Sequence, residues 1–208
     1  MQTKNFPIVT ISIIILNCII FAIGLLFGEQ TQIIRNYGFI PNSIFYTEQN
    51  LPSESHTSSV DSLARLFTSM FIHANFVHIA FNMFALAYLG VYSERAIGAR
   101  RYILVYVASG IVAALFHGVI ASFFLHNGNA VLIGASGAIS GVLGIAAVAG
   151  NRSAYYWLFL QIIFAVIGSV SALPIAFTAH VGGFIAGFVI TKALVKLEQA
   201  NRKSSYSI

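Results

Sequence analysis

Charged residues are scarce in this sequence. Only 8% of its 208 residues are charged and 58% are hydrophobic, whereas a soluble domain carries about 25% charged residues. This composition excludes an ordinary soluble domain and places the chain in a lipid bilayer. The length predicts a single membrane-embedded domain over residues 1–208.

Cysteine and intramembrane carboxylates are also scarce. Cys18 is the one cysteine, which excludes an internal disulfide framework and a thiolate metal cluster. No aspartate or glutamate falls inside an apolar span, which counts against an ion-coupled transporter and removes the acid of a Ser-His-Asp triad. The sequence also lacks the His-Glu-x-x-His motif of a metalloprotease and the two intramembrane aspartates of an aspartyl protease.

What the sequence does have is long apolar runs, and runs of about 20 residues predict transmembrane helices. The first is retained rather than cleaved, because Phe27-Gly28-Glu29 is a poor signal-peptidase site. We therefore predict an all-α, polytopic membrane protein: a six-transmembrane-helix bundle with a long external loop between helices 1 and 2. The predicted spans are 8–27, 67–92, 102–125, 131–149, 154–173 and 175–195.

The loop over residues 28–66 is too long for a simple turn. Ile33-Ile34 and residues 37–45 offer enough apolar surface to lie in the membrane interface as an amphipathic or re-entrant segment.

Basic residues indicate the orientation, because short cytoplasmic loops retain lysine and arginine. With six alternating spans, only Arg35 and Arg65 fall on the side of the long loop. We therefore expect both termini in the cytoplasm, and we assign the net charge of +5 to membrane orientation rather than to a nucleic-acid partner. The remaining basic residues share the opposite side: Lys4, Arg95, Arg100, Arg101, Arg152, Lys192, Lys196, Arg202 and Lys203.

Polar residues inside membrane spans are costly and mark functional candidates. Ser136, His78 and His180 each lie 16 residues from the charge that ends their span, which places all three roughly 24 Å from that boundary. Asn82 follows His78 by four residues and therefore shares its helix face. The candidates are His73, His78 and Asn82 in span two, His117 in span three, Ser136 in span four and His180 in span six.

The segment around Ser136 predicts a short helix that begins inside the membrane domain. A polar loop over residues 126–130 precedes it, and Gly134 and Gly137 flank the serine. A helix of about 14 to 16 residues from this point is too short to span alone, so the loop must line a cavity. The free N–H groups of the helix start suit an oxyanion.

Small residues predict close packing of spans four and six. The faces are Gly137, Gly141 and Gly144 in span four, and Ala179, Gly183 and Gly187 in span six. Such packing brings Ser136 and His180 towards hydrogen-bond distance, where a neutral imidazole activates a hydroxyl nucleophile.

Three motifs in this order resemble the rhomboid family of intramembrane serine proteases over nearly the whole chain. They are His73-x4-His78-x3-Asn82, Gly134-Ala135-Ser136-Gly137 and Ala179-His180-Val181-Gly182-Gly183. The resemblance implies that Ser136 is the nucleophile and His180 its general base. It further implies that His78, Asn82 and the Ser136 N–H bind the oxyanion. Gly134, Gly137, Gly183, His73 and the turn residues Glu94 and Arg95 have supporting roles.

The resemblance implies a serine endopeptidase that cuts single-span membrane proteins in or near their transmembrane segments through an acyl-enzyme. The resemblance also implies that substrates with helix-destabilising residues are favoured and that the enzyme needs no metal or cofactor. We expect the protein to lie in the bacterial cytoplasmic membrane, with its site open to the outer face. Two residues depart from the family pattern. Ala64 stands where the family often has tryptophan, beside Arg65, and Ser140 stands where some members stack an aromatic on the histidine.

Two alternatives remain open. The first is a catalytically inactive relative that binds membrane clients. The second is a metal transporter that uses His73, His78, His117 and His180 as ligands, although no helix carries two of these histidines at i, i+4. No role is assigned to His56, His117 or His126.

Overall fold

The computed structural model describes residues 6–46, 59–171 and 176–205, and this part of the chain forms nine α-helices. A 3₁₀ turn, Ser69–Phe71, separates α4 from α5. Three parts of the predictions lie outside the described residues: Lys4, residues 47–58 of the predicted long loop, which include His56, and the link at 172–175 between the last two predicted spans. The helices are α1 (Ile8–Leu26), α2 (Gln30–Tyr37), α3 (Asn42–Phe45), α4 (Ser59–Thr68), α5 (Phe76–Ile97), α6 (Ala99–Phe123), α7 (Ser136–Val148), α8 (Ser153–Ser171) and α9 (Phe177–Ser205).

Four of these helices are long and apolar enough to cross a membrane, namely α1, α5, α6 and the Phe177–Lys203 part of α9. α7 has 13 residues, and it and the Ser153–Ile167 part of α8 fall below that length. The prediction of an all-helical membrane bundle is confirmed, with α1 and α5 to α9 in the places of the six predicted spans.

The structure corrects two predicted span boundaries. The helix predicted to begin at residue 67 begins at Phe76 as α5. Asn75 is extended, and its side chain caps α5 by accepting the His78 N–H at 2.9 Å. His73 therefore precedes the helix. The last helix continues past residue 195 to Ser205, where its charged end is stabilised by Glu198, which pairs with Arg101 and Arg202 at 2.6 Å each.

α7 lies at the centre of the bundle, packed against α5, α6, α8 and α9. Every residue from 137 to 147 is buried. A Cβ added to Gly183 would collide with the Gly137 carbonyl oxygen, and one added to Gly187 would collide with the Gly141 carbonyl oxygen. The predicted small faces of spans four and six therefore meet, and the two backbones touch.

Glu94 ties α1 to the end of α5. Its buried carboxylate accepts hydrogen bonds from the Val9 N–H at 3.0 Å and from the Thr10 N–H and Oγ1 at 2.8 Å each. A carboxylate at this position satisfies N–H groups that a helix start leaves free. Glu94 thus joins α1 to α5, while Arg95 is exposed in the last turn of α5.

The segment with α2 and α3 covers the loop that leads to α7. Phe39 is fully buried and forms an isolated antiparallel bridge with Leu132, with N–H to oxygen distances of 3.0 and 2.7 Å. The Arg65 guanidinium donates to the carbonyl oxygens of Arg35 at 3.1 Å and Gly38 at 3.5 Å, and burial lowers its pKa. The segment predicted to lie in the interface is thus fixed to the protein.

Candidate active site

The candidate nucleophile is the first residue of the central helix. α7 begins at Ser136, which is half-buried. Gly134 adopts a φ of +114°, which L side chains rarely adopt, and its N–H donates to the Ser69 carbonyl at 2.9 Å. The turn thereby ends the loop and directs the free N–H groups of the helix start towards the site. The short helix predicted to begin near Ser136 is confirmed.

Ser136 and His180 lie in direct contact. The Nε2 atom of His180, in the first turn of α9, is 2.8 Å from the Ser136 Oγ. This is hydrogen-bond distance, and it follows from the close packing of the glycine faces one turn below. A hydroxyl held against a ring nitrogen at this distance can lose its proton to that nitrogen as it attacks a carbonyl.

Three residues surround the other sides of the His180 ring. The Gln161 Oε1 lies 2.7 Å from Nδ1. The Trp157 ring lies 6.0 Å from the imidazole between centroids, tilted by 39°, and the Phe177 ring lies 6.1 Å away, edge-on at 88°. Both nitrogens of the imidazole therefore have a hydrogen-bond partner, and two aromatic rings pack beside it.

His78 lies on the opposite side of the serine. Its Nδ1 accepts the Ala74 N–H at 3.5 Å, which leaves Nε2 to carry the proton in the neutral ring. A Cβ built on Gly134 would be 2.7 Å from this Nε2 and 3.8 Å from the Ser136 Oγ. His78 Nε2 therefore faces the space beside the nucleophile. One turn deeper, the Asn82 Nδ2 donates to the His78 carbonyl at 2.8 Å, which leaves its second N–H available.

Sequence comparison places this arrangement in a known family. Residues 60–197, more than half of the chain, match the family model described as Rhomboid domain. The chain belongs to the rhomboid family. Together with its long apolar helices, this makes it an integral multi-pass membrane protein.

Its relatives include rhomboids named as proteases and one named as inactive. It is 35% identical to Rhomboid protease GluP of Bacillus subtilis (strain 168) over 62% of this chain and 26% of that protein. It is 30% identical to Rhomboid protease AarA of Providencia stuartii over 64% and 58%. It is 32% identical to Inactive RHOMBOID-like protein 8 of Arabidopsis thaliana over 60% and 31%. The chain thus spans between about a quarter and three fifths of the length of these relatives.

The sequence analysis did not identify two neighbours of His180. Trp157 and Gln161 lie one turn apart on α8, and the signal was a glutamine four residues after a tryptophan in an otherwise apolar span. Ser140, the departure noted above, donates its hydroxyl to the Ser136 carbonyl at 2.7 Å. An aromatic ring is nevertheless present beside His180 in this chain, that of Trp157.

The other described histidines form no hydrogen bond with Ser136. His73 is buried, its ring packs on His78 with centroids 5.0 Å apart, and its carbonyl accepts from the Gln30 side chain. The His117 Nδ1 is 2.6 Å from the Thr178 Oγ1, near the start of α9. His126 lies in the loop after α6 with a φ of +53°. Across the described residues, no group of three or more His, Cys, Asp or Glu side chains is placed to hold a metal ion.

Proposed function

We propose that this rhomboid is an intramembrane serine endopeptidase that uses Ser136 and His180 as a catalytic dyad. The observation that carries the proposal is the 2.8 Å contact between the Ser136 Oγ and the His180 Nε2 at the start of a buried helix. A serine in a glycine-rich helix start is otherwise a common packing residue, and it is the pairing with an imidazole that favours catalysis.

In the proposed reaction, His180 Nε2 takes the hydroxyl proton as Ser136 Oγ bonds to the carbonyl carbon of the scissile peptide. The π electrons of the carbonyl move to its oxygen. When that oxyanion re-forms the carbonyl, the C–N bond breaks and the amine leaves with the proton held by His180. Water, deprotonated by His180, then releases the acyl group from the serine in the same two steps.

The oxyanion in this mechanism is bound by neutral donors. The His78 Nε2 side faces the space beside Ser136 and the N–H groups of the α7 start are free, so both can donate to an oxygen there. Asn82 supplies a further N–H from one turn deeper on α5. The mechanism is complete with these side chains and calls for neither metal nor cofactor.

We further propose that the substrates are single-span membrane proteins whose helices are locally weak. A helix conceals its carbonyls in intramolecular hydrogen bonds, so a segment must unwind before a carbonyl reaches Ser136. Small, helix-destabilising residues near the cleaved bond are therefore favoured. We also propose that both termini lie in the cytoplasm of a bacterial cell and that the site faces the outer side; the positive charge at the opposite ends of the spans supports this orientation.

The decisive experiment measures cleavage of a panel of weak single-span substrates by the purified protein in liposomes. We expect Ser136→Ala and His180→Ala to abolish cleavage, since loss of a serine nucleophile costs on the order of 10⁶-fold in kcat. Ser109→Ala, which removes a buried serine of α6, is the matched control and retains activity. A chelator leaves cleavage unchanged. Cleavage that survives both dyad substitutions would contradict the proposal.

Similarity to a relative named inactive supports a second candidate function, that of a rhomboid that binds membrane proteins without cleaving them. This candidate predicts that the wild type and Ser136→Ala are equally silent on the whole panel, and that both retain the same single-span protein on co-purification. The presence of both Ser136 and His180 in contact argues against it.

A further inference from the structure

The outer nitrogen of the catalytic histidine has a partner that the dyad mechanism does not use. The Gln161 Oε1 lies 2.7 Å from the His180 Nδ1, and Gln161 is only 9% exposed, so water does not compete for this contact. An amide oxygen accepts hydrogen bonds and carries no proton. The proton between the two atoms therefore belongs to Nδ1.

A proton on Nδ1 decides what Nε2 can do. A neutral imidazole holds one proton, so Nε2 then presents its lone pair to the Ser136 hydroxyl 2.8 Å away. The opposite tautomer would point an N–H at the serine and could not accept its proton. In serine proteases with a triad, the buried acid performs this orienting task.

Among the residues that the structure describes, no carboxylate interacts with the His180 ring. The titratable groups that interact with its ring are His78 on α5 and His117 on α6. A neutral amide also suits this depth, because an ionised carboxylate is costly inside a membrane domain. The acceptor comes instead from α8, which packs on α9 and on α7.

The same face of α8 also fixes the plane of the ring. Trp157 lies four residues before Gln161, so both side chains project from one side of the helix. The indole lies beside the imidazole, with centroids 6.0 Å apart and planes tilted by 39°, while the amide oxygen lies at Nδ1. A ring fixed by both contacts loses the freedom to flip and exchange its two nitrogens.

We propose that Gln161 is a positioning residue that takes the place of a triad carboxylate and selects the Nδ1–H tautomer of His180. The role presupposes the proposed serine mechanism. Gln161 touches neither substrate nor serine in this arrangement; it acts through the histidine. Its loss is expected to lower the turnover rate and to leave substrate binding unchanged.

The first test is ¹⁵N NMR of the full-length protein in detergent micelles with labelled histidine. The His180 signals are identified by their absence from His180→Ala. In the wild type we expect a protonated Nδ1 and an unprotonated Nε2, and in Gln161→Met, which has a side chain of similar length without an acceptor, a mixture of both tautomers. A protonated Nε2 in the wild type, or an unchanged spectrum in Gln161→Met, would overturn the assignment.

The second test is kinetic. Gln161→Met should lower kcat by about 10-fold or more, by analogy with the 10- to 100-fold effect of removing the partner of a metal-bound histidine, with KM within about twofold. Gln161→Glu keeps acceptor oxygens at the same reach and should stay at least about tenfold above Gln161→Met. Equal loss in both variants would overturn the proposal.

Leu158→Ala distinguishes an effect of weaker α8 packing from loss of the Gln161 hydrogen bond to His180. Leu158 packs against the cluster around Leu143 and Phe184, so this variant weakens α8 packing while Gln161 is retained. It should lower the melting temperature and leave the His180 tautomer unchanged. A wild type that cuts nothing would refute the protease function alone, because the NMR spectrum of the wild type decides the role of Gln161 without any turnover.

Discussion

At the scale of single residues, the proposed mechanism depends on donors that act only when negative charge develops. Asn82 Nδ2 already donates to the His78 carbonyl in the resting protein, so its contribution in the transition state comes from the remaining N–H. In the proposed mechanism the serine and the histidine, in contrast, take part in bond making. The two kinds of residue should therefore differ in the size of their effects.

Asn82→Ala should impair cleavage without abolishing it. Removal of one oxyanion donor costs about 100- to 1,000-fold in kcat, which is far less than the loss expected for Ser136→Ala. Substrate titrations of both variants in the same liposomes measure the difference. Asn82→Asp is a useful companion, since it keeps the size of the side chain but replaces the donor with an oxygen. Activity of Asn82→Ala equal to the wild type would remove Asn82 from the oxyanion site.

We expect Gly134 to be needed both for its backbone conformation and for the space it leaves beside His78. Substitution of Gly150, which has a similar conformation but no close neighbour, distinguishes the two effects. Its φ is +114°, and a Cβ there would be 2.7 Å from His78 Nε2. Gly150 has a φ of +93° with open space around it. Both alanine substitutions carry backbone strain of about 1–3 kcal/mol, measurable as lower thermal stability. Only Gly134→Ala should also displace His78 and eliminate cleavage. Full activity in Gly134→Ala would show that His78 need not lie where it does.

At the scale of helices, the contact between Ser136 and His180 is a product of backbone packing. α7 and α9 approach so closely because glycines line both, and the two side chains project from the upper ends of these faces. A change that separates the helices should therefore separate the dyad, even though it leaves both side chains intact.

Gly183→Ala tests this dependence. The added methyl group would collide with the Gly137 carbonyl oxygen, a backbone atom that cannot move aside. We expect lower thermal stability, since overpacking costs about 1–3 kcal/mol, and loss of serine labelling by a fluorophosphonate. Gly118→Ala is the control, because this buried glycine of α6 has its nearest neighbour at 3.4 Å. Normal labelling of Gly183→Ala would break the link between packing and reactivity.

Sequence patterns predicted this central contact but not the surroundings of the histidine. Glycine spacing and a polar loop were enough to place the start of α7 at Ser136, because both are local properties of the chain. The role of α8 was not predictable in the same way. A single glutamine in an apolar span reveals neither the rotation of its helix nor its neighbours, and Trp157 and Gln161 gain meaning only when α8 packs on α9.

The boundaries of the helices show the same division. Asn75 is a recognisable helix cap, yet the apolar run from residue 67 concealed the break before α5. The extension of α9 to Ser205 is accompanied by the pairing of Glu198 with Arg101 on another helix, which the sequence of one segment does not reveal. Local patterns therefore predicted the long apolar helices, but not the short helices α2, α3 and α4 within the segment predicted as a loop.

At the scale of the whole molecule, charge predicts how the protein sits in the membrane. Exposed arginines gather at the end that holds Arg100, Arg101 and Arg152, whereas the loop after α6 at Asn127 is uncharged. Lysine and arginine near span ends are retained in the cytoplasm. Because Ser136 follows the uncharged loop, we predict that the site opens to the outer face.

Cysteine labelling in intact host cells measures this orientation. Cys18 is first replaced by alanine, which leaves the protein without a thiol. Asn127 and Arg100 are both exposed, so Asn127→Cys and Arg100→Cys form a matched pair at opposite ends. We expect a membrane-impermeant maleimide to label Asn127→Cys in intact cells and Arg100→Cys only after permeabilisation. The reverse pattern would place Ser136 on the cytoplasmic side, and substrates would then have to present their weak helical segments from within the cell.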